Sequence, residues 1–196
     1  MQPLQNISKY NVILGSNSPR RKHLLNLIGL EFTVDAPQNV DETYPKHTLP
    51  EEIPVYLSRL KAKAYTETHL MHKTLLITAD TVVIANNQVL GKPHSKEEAH
   101  EMLAMLSGNT HTVTTGVTIT TETKSLSFAV NTIVQFTTLS LEEIEYYIAK
   151  YSPFDKAGAY GIQEWIGCIG VERIDGSFYN VMGLPICKLY QMLKTI

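Results

Sequence analysis

Cysteine is nearly absent from this sequence. Cys168 and Cys187 are the only two in 196 residues, and both lie in apolar segments far from each other. Their scarcity rules out a disulfide framework; the two could pair with each other, but the expectation is two buried free thiols, as in a reducing compartment. A surplus of basic charge is also missing: 17 Lys and Arg against 19 Asp and Glu leave a formal net charge of −2. That balance excludes a surface built to attract long polyanions, so polymeric nucleic acid is not an expected partner. No uncharged apolar run approaches the roughly 20 residues of a membrane-spanning helix. The first residues lack the basic start and apolar core of a signal peptide. These absences predict a cytoplasmic protein with no membrane partner. Repeats, low-complexity tracts and linkers are absent too.

What is present is an ordinary core-forming composition, 43% hydrophobic and 18% charged. Val12, Ile13 and Leu14 read as a short buried strand, followed by a small-residue turn and a helix with Ser18 as N-cap and Pro19 at its first position. Leu24, Leu25, Leu27 and Ile28 supply that helix's apolar face, and Gly29 ends it. A second strand is expected over residues 32–36, then a polar loop with Asp41 and Glu42. A helix follows from about residue 50 to 68, with a stripe of Ile53, Tyr56, Leu57, Leu60 and Ala64. Residues 75–79 form an apolar strand ending in Asp80, and Asn86-Asn87 mark a tight hairpin turn. Ser95 with Glu98 and Ser140 with Glu143 show the capping-box pattern. Thr- and Val-rich strands are expected at about 110–121 and 126–137. A hairpin is expected around Asp175-Gly176, and Pro185 opens a final helix. Strands and helices mix without strict βαβ alternation, which predicts an α/β fold with a mixed sheet.

Several segments carry residues suited to phosphate chemistry. In the turn from Gly15 to Arg21, a helix N-terminus gathers backbone N–H groups beside the hydroxyls of Ser16 and Ser18 and the guanidinium groups of Arg20 and Arg21. The same segment also reads as a capped surface helix. The spacing is not that of a Walker loop. Asp80-Thr81 places a carboxylate where it can deprotonate water or hold a divalent cation, or simply cap a turn. Lys92, in Gly91-Lys92-Pro93, sits on a rigid loop, as an ordinary surface lysine also would. In residues 155–163, small residues follow Lys156 and allow close approach to a flat ligand, and Gln163 offers an amide donor and acceptor. A packed Gly/Ala turn has the same composition. Glu42 and Lys61, taken alone, read as solvated side chains.

Together these stretches resemble the Maf (septum-formation) family of nucleotide pyrophosphatases. The matching segments are SNSPRR (16–21), Asp41-Glu42, Lys61-Ala62, ADT (79–81), GKP (91–93), the SG…TGV stretch (107–117), DKAGAYGIQ (155–163) and DGSFYNVMGLP (175–185). They occur in family order across nearly the whole chain, so residues 1–196 are expected to form one Maf-like domain. The resemblance implies a mixed central sheet with helices on both sides and two lobes flanking a deep cleft, as in inosine triphosphate pyrophosphatase. It implies a Mg²⁺ or Mn²⁺ cofactor, held by Glu42 and Asp80, and commonly a homodimer. Carried over, Asp80 matches the proton acceptor and Glu42 the second essential carboxylate. Arg20, Arg21, Lys61 and Lys92 match phosphate-contacting positions. Arg20, Thr81 and Gln163 match positions linked to base preference, with Ser16, Ser18 and Lys156 in the same substrate-binding motifs. Two departures stand out: Gly15 replaces a usual alanine, and Glu164 follows Gln163 where the family normally has glycine.

The activity implied is that of a nucleotide diphosphatase hydrolysing dTTP and UTP to the monophosphate and pyrophosphate. Thymine and uracil present an N3–H donor beside carbonyl acceptors, and one Gln163 amide answers both. A carboxylate there would suit a guanine edge instead. Two other functions fit the same residues: a housecleaning pyrophosphatase for modified pyrimidine nucleotides, and a nucleotide-binding regulator of cell division.

Overall fold

In the computed structural model, which describes residues 4–196, an open mixed sheet of seven strands carries the chain. In chain order the elements are β1 (Asn11–Leu14), α1 (Pro19–Leu27), β2 (Thr33–Val34), α2 (Ile53–Thr66), β3 (Thr74–Ala85), β4 (Gln88–Leu90), α3 (Lys96–Leu106), β5 (Thr110–Thr120), β6 (Ser125–Phe136), α4 (Leu141–Tyr151), α5 (Trp165–Gly170), β7 (Val171–Asp175), α6 (Phe178–Val181) and α7 (Ile186–Leu193). The sheet order is β2-β1-β3-β5-β6-β7, with β4 hydrogen-bonded to β3. β1 runs parallel to both β2 and β3, whereas β4 pairs antiparallel with β3 and β7 antiparallel with β6. This is the mixed α/β architecture expected from the sequence. Among the described residues no helix is long and apolar enough to cross a membrane.

The chain divides into two compact units, residues 1–80, 115–130 and 183–196 in the first and residues 81–114 and 131–182 in the second. The first unit is built on β1 and the apolar start of β3, where Leu14, Leu75, Leu76 and Ile77 are fully buried with Leu24 and Leu25 of α1. α2 lies directly on β5: a Cβ placed on Gly116 would stand 2.3 Å from the Pro54 carbonyl carbon and the Val55 nitrogen. One turn further along, the Ser58 and Thr118 hydroxyls meet at 2.8 Å, and Thr78 Oγ1 donates to the Ser58 carbonyl at 2.7 Å. These contacts leave α2 little freedom to rotate. In the second unit, β6 alternates buried Thr132, Val134 and Phe136 with outward Asn131 and Ile133, the period of a half-buried strand. Its core includes Leu103, Leu106, Tyr147 and Ile166.

Local signals in the sequence hold well. Asn86 and Asn87 both take positive φ (50° and 60°) between β3 and β4, the twist a two-residue hairpin needs. Ser140 and Glu143 form the complete capping box. Ser95 accepts from the Glu98 N–H at 3.2 Å, but the Glu98 carboxylate takes the His94 N–H at 2.7 Å instead of closing the box. Pro185 occupies the N-cap of α7.

Other expectations are corrected. β3 does not end at Asp80 but continues to Ala85, because the β-branched run after Thr81 keeps the backbone extended. The buried face of α2 is Ile53, Pro54, Leu57, Ser58, Ala62 and Tyr65, while Tyr56 is exposed. The stripe is turned by the fit of Ser58 against Thr118. Leu27 is exposed, leaving Leu24 and Leu25 as the buried face of α1. β2 covers only Thr33–Val34, as the end strand of the sheet with one partner. No hairpin forms at Asp175-Gly176: Gly176 takes φ +130° and Ser177 caps α6, accepting from the Asn180 N–H at 3.3 Å. The two cysteines are free, as expected, but exposed. α7 buries Ile186, Leu189 and Leu193, and α5 buries Ile166 and Gly170, so each thiol falls on the opposite side of its helix.

Candidate active site

Most of the sequence-selected charges of the first unit gather around the middle of β3. β1 pairs with Thr74–Ile77 and β4 with Val83–Ala85, so Asp80 and Thr81 fall between two paired stretches of that strand. Lys61, held by the fixed packing of α2, reaches Asp80 with Nζ 2.6 Å from Oδ1. The same ammonium lies 3.1 Å from Glu42 Oε1, on the coil between β2 and α2. One cation is thus shared by two carboxylates. Asp80 and Lys61 are well shielded, whereas Glu42 is half exposed.

The turn after β1 supplies the second part. Gly15 donates to the Ile77 carbonyl at 2.8 Å, and a Cβ there would come 2.8 Å from Thr78 Cγ2. The near-buried Ser16 hydroxyl accepts from the Ser18 N–H at 3.3 Å and from Arg21 Nη1 at 3.1 Å. Ser18 stands at the N-cap of α1 with Pro19 at its start, but its side chain makes no capping bond. Arg21 Nε also donates to the Gly183 carbonyl at 2.8 Å, tying α1 to the segment before α7. Burial, chiefly, and the like charge of Arg20 lower the pKa of the Arg21 guanidinium, while Asp80 and Glu42 oppose that shift. Arginine keeps its charge regardless. The electrostatic coupling places Arg20, Arg21, Asp80 and Glu42 within one field.

In the second unit the Lys92 and Lys156 segments adjoin. The Gly158 N–H donates to the Gly91 carbonyl at 3.0 Å, beside exposed Lys92. Gly158 has φ +67°, and a Cβ on it would meet Val83 Cγ2 at 2.9 Å, so this turn requires glycine on two counts. Lys156 is buried, with Nζ 2.7 Å from Asp155 Oδ1 and 3.2 Å from Glu164 Oε1. Gln163 is exposed and Thr81 partly buried. Tyr147, in α4, was not singled out in the sequence, yet its hydroxyl donates to Glu164 and accepts from the Gly161 N–H at 3.0 Å. Nothing local marks it, because its partner is 17 residues away.

Two carboxylates and three cations, Arg20, Arg21 and Lys61, thus cluster in one unit of a mixed α/β protein. The chain belongs to the Maf family: the family model described as Maf-like protein matches residues 11–196. It is 52% identical over 192 residues to a protein of Porphyromonas gingivalis named dTTP/UTP pyrophosphatase, covering 97% of this chain and 96% of that one. Proteins of the same name from Parabacteroides distasonis (53% over 191 residues, 97% and 98% covered) and Bacteroides thetaiotaomicron (54% over 193 residues, 98% and 100% covered) are similarly close.

Proposed function

We propose that this protein is a nucleoside triphosphate pyrophosphatase that hydrolyses dTTP and UTP to the monophosphate and pyrophosphate. The observation that carries the reading is the Lys61 ammonium shared by Asp80 and Glu42, at 2.6 and 3.1 Å, beside the Arg20–Arg21 pair. The names of relatives about half identical across the full length support the substrate assignment.

A triphosphate carries about four negative charges near neutral pH, so its cleavage depends on cationic contacts more than on covalent chemistry. Asp80 is assigned as the base that takes a proton from the water attacking the α-phosphorus. Arg20, Lys61 and Lys92 are assigned to the β- and γ-phosphates and the departing pyrophosphate. Arg21 holds the Ser16 hydroxyl and the Gly183 carbonyl, so its part is to shape the turn as well as to add charge. Ser16, Ser18 and Thr81 complete the substrate contacts, Lys156 steadies the loop through Asp155 and Glu164, and Gln163 reads the N3–H and carbonyl edge of the pyrimidine.

The donor set also suits a divalent metal. Asp80 and Glu42 point at a common position already taken by a cation, and hard ions such as Mg²⁺ and Mn²⁺ bind through one or two carboxylates plus phosphate oxygens. When bound there, the metal supplies positive charge against the triphosphate.

The test is a panel of nucleoside triphosphates with Mg²⁺ or Mn²⁺, scored for products. Monophosphate and pyrophosphate from dTTP and UTP are expected. Orthophosphate as the direct product would place cleavage at the terminal bond and refute the mechanism.

A further inference from the structure

Glu164 occupies the N-cap position of α5, where Ser, Thr, Asp or Asn would ordinarily accept from the first helical N–H groups. Its side chain makes no capping bond. The carboxylate turns the other way: Oε2 accepts from the Tyr147 hydroxyl, and Oε1 lies 3.2 Å from the Lys156 ammonium. Tyr147 is fully buried, and its oxygen accepts the Gly161 N–H at 3.0 Å. Lys156 is 7% exposed and has Asp155 as a second partner, but the Asp155 side chain is 53% exposed against 19% for Glu164. Glu164 is therefore the better-shielded of two counter-charges to a buried ammonium, and its removal would leave Lys156 paired only with the more exposed Asp155.

The same carboxylate closes the turn that carries Gln163. A Cβ placed on Gly161 would stand 2.8 Å from Gln163 Nε2 and 2.9 Å from Glu164 Cδ. Both side chains thus fold back on one α-carbon. The Gly161 N–H in turn donates to the Tyr147 hydroxyl, and that hydroxyl donates to Glu164. The amide of an exposed glutamine has several rotamers, and a flip exchanges its donor for its acceptor. What it packs against decides which is presented.

We propose that Glu164 is the positioning residue for Gln163, and that base selectivity depends on the Glu164–Tyr147–Gly161 chain with Lys156 as its counter-ion. This rests on the assignment of Gln163 to base reading in a pyrimidine nucleotide pyrophosphatase. Uracil offers a carbonyl acceptor beside its N3–H donor, whereas cytosine offers an amino donor beside an N3 acceptor. An amide held one way favours uracil, and an amide free to flip accepts both. The preference for UTP over CTP is therefore a direct readout of amide orientation.

The experiment measures kcat and KM for pyrophosphate release from UTP, dTTP, CTP and GTP by the full-length wild type, Glu164→Gln and Tyr147→Phe. Glu164→Gln keeps the size and removes the charge; Tyr147→Phe removes the hydroxyl that links carboxylate to backbone. Both are expected to hold kcat for UTP within about threefold while the UTP/CTP ratio of kcat/KM falls about tenfold, mostly through KM. A merely structural role would slow all four nucleotides together and leave the ratio unmoved. An unchanged ratio in whichever variant folds overturns the inference. Wild-type protein that releases pyrophosphate from none of the four would overturn the pyrophosphatase reading, and this inference with it.

Discussion

The Lys61 ammonium and the Asp80 carboxylate meet at 2.6 Å, and the two side chains are about equally shielded from solvent. Glu42, the other partner of Lys61 at 3.1 Å, is half exposed. The better-shielded carboxylate is thus the one on the sheet, and the more accessible one lies on a coil. Asp80→Asn keeps the shape but removes the proposed base, so turnover of UTP is expected to fall about 10²–10⁴-fold. Steady-state pyrophosphate release measures it, and a near-normal rate would remove Asp80 from that role.

Lys61→Gln withdraws the cation from between two carboxylates. Turnover should drop, because the proposed phosphate contact is lost. In the absence of nucleotide, however, Mn²⁺ should bind more tightly than to the wild type, since no ammonium competes for Asp80 and Glu42. Titration calorimetry or Mn²⁺ electron paramagnetic resonance decides. Weaker metal binding by the variant would argue that Asp80 and Glu42 are not the ligands.

Gln163→Glu replaces an amide by an acceptor-only carboxylate next to Glu164. The N3 carbonyl neighbours of uracil and thymine then lose their donor. The preference for dTTP and UTP over GTP should erode by about tenfold or more. Relative kcat/KM values across the nucleotide panel check this, and an unaltered profile would count against base reading by this residue.

His111 offers a prediction about stability. Its Nε2 lies 2.7 Å from the Tyr160 hydroxyl, its Nδ1 has no partner among the described residues, and burial pushes the imidazole down from 6.5 to about 4. Between those values the unfolded chain takes up a proton that the folded chain refuses. Stability is therefore complete above about pH 6.5 and declines toward pH 4 by about 3 kcal/mol from this group. Urea denaturation across that range should show a shallower pH slope for His111→Gln than for the wild type. Parallel slopes would show that the histidine does not contribute.

Gly116→Ala tests the seat of α2. The added methyl would fall 2.3 Å from backbone atoms of Pro54 and Val55, which cannot step aside as a flexible side chain would. A loss of about 3 kcal/mol or more is expected, with displacement of Lys61 and lower activity. Thermal denaturation beside activity measures both, and a variant as stable as the wild type would contradict this packing.

The features readable in the sequence are those that short-range chemistry settles. The Asn86-Asn87 turn, the Ser140 capping box and the Pro185 helix start each depend on bonds closed within about four residues, so residue types at fixed offsets suffice. Family motifs spread over the chain identified Asp80, Lys61 and Arg21 as residues of interest, but not their geometry. Helical periodicity placed α2 and its buried Ile53 and Leu57 but not the turn that buries Ser58 and exposes Tyr56, because several stripes are apolar enough and the fit of Ser58 on Thr118, 60 residues away, chooses among them.

By itself the sequence determined the membership of the family and the identity and approximate span of most elements, and it marked the charged side chains of the candidate site. Only the tertiary structure decided that Lys61 bridges Asp80 to Glu42, and that Glu164 answers Tyr147 and Lys156 instead of capping its helix. The reason is distance along the chain. A bond between residues 17 or 19 positions apart depends on how whole elements pack, and packing has no signature in any local run of residues.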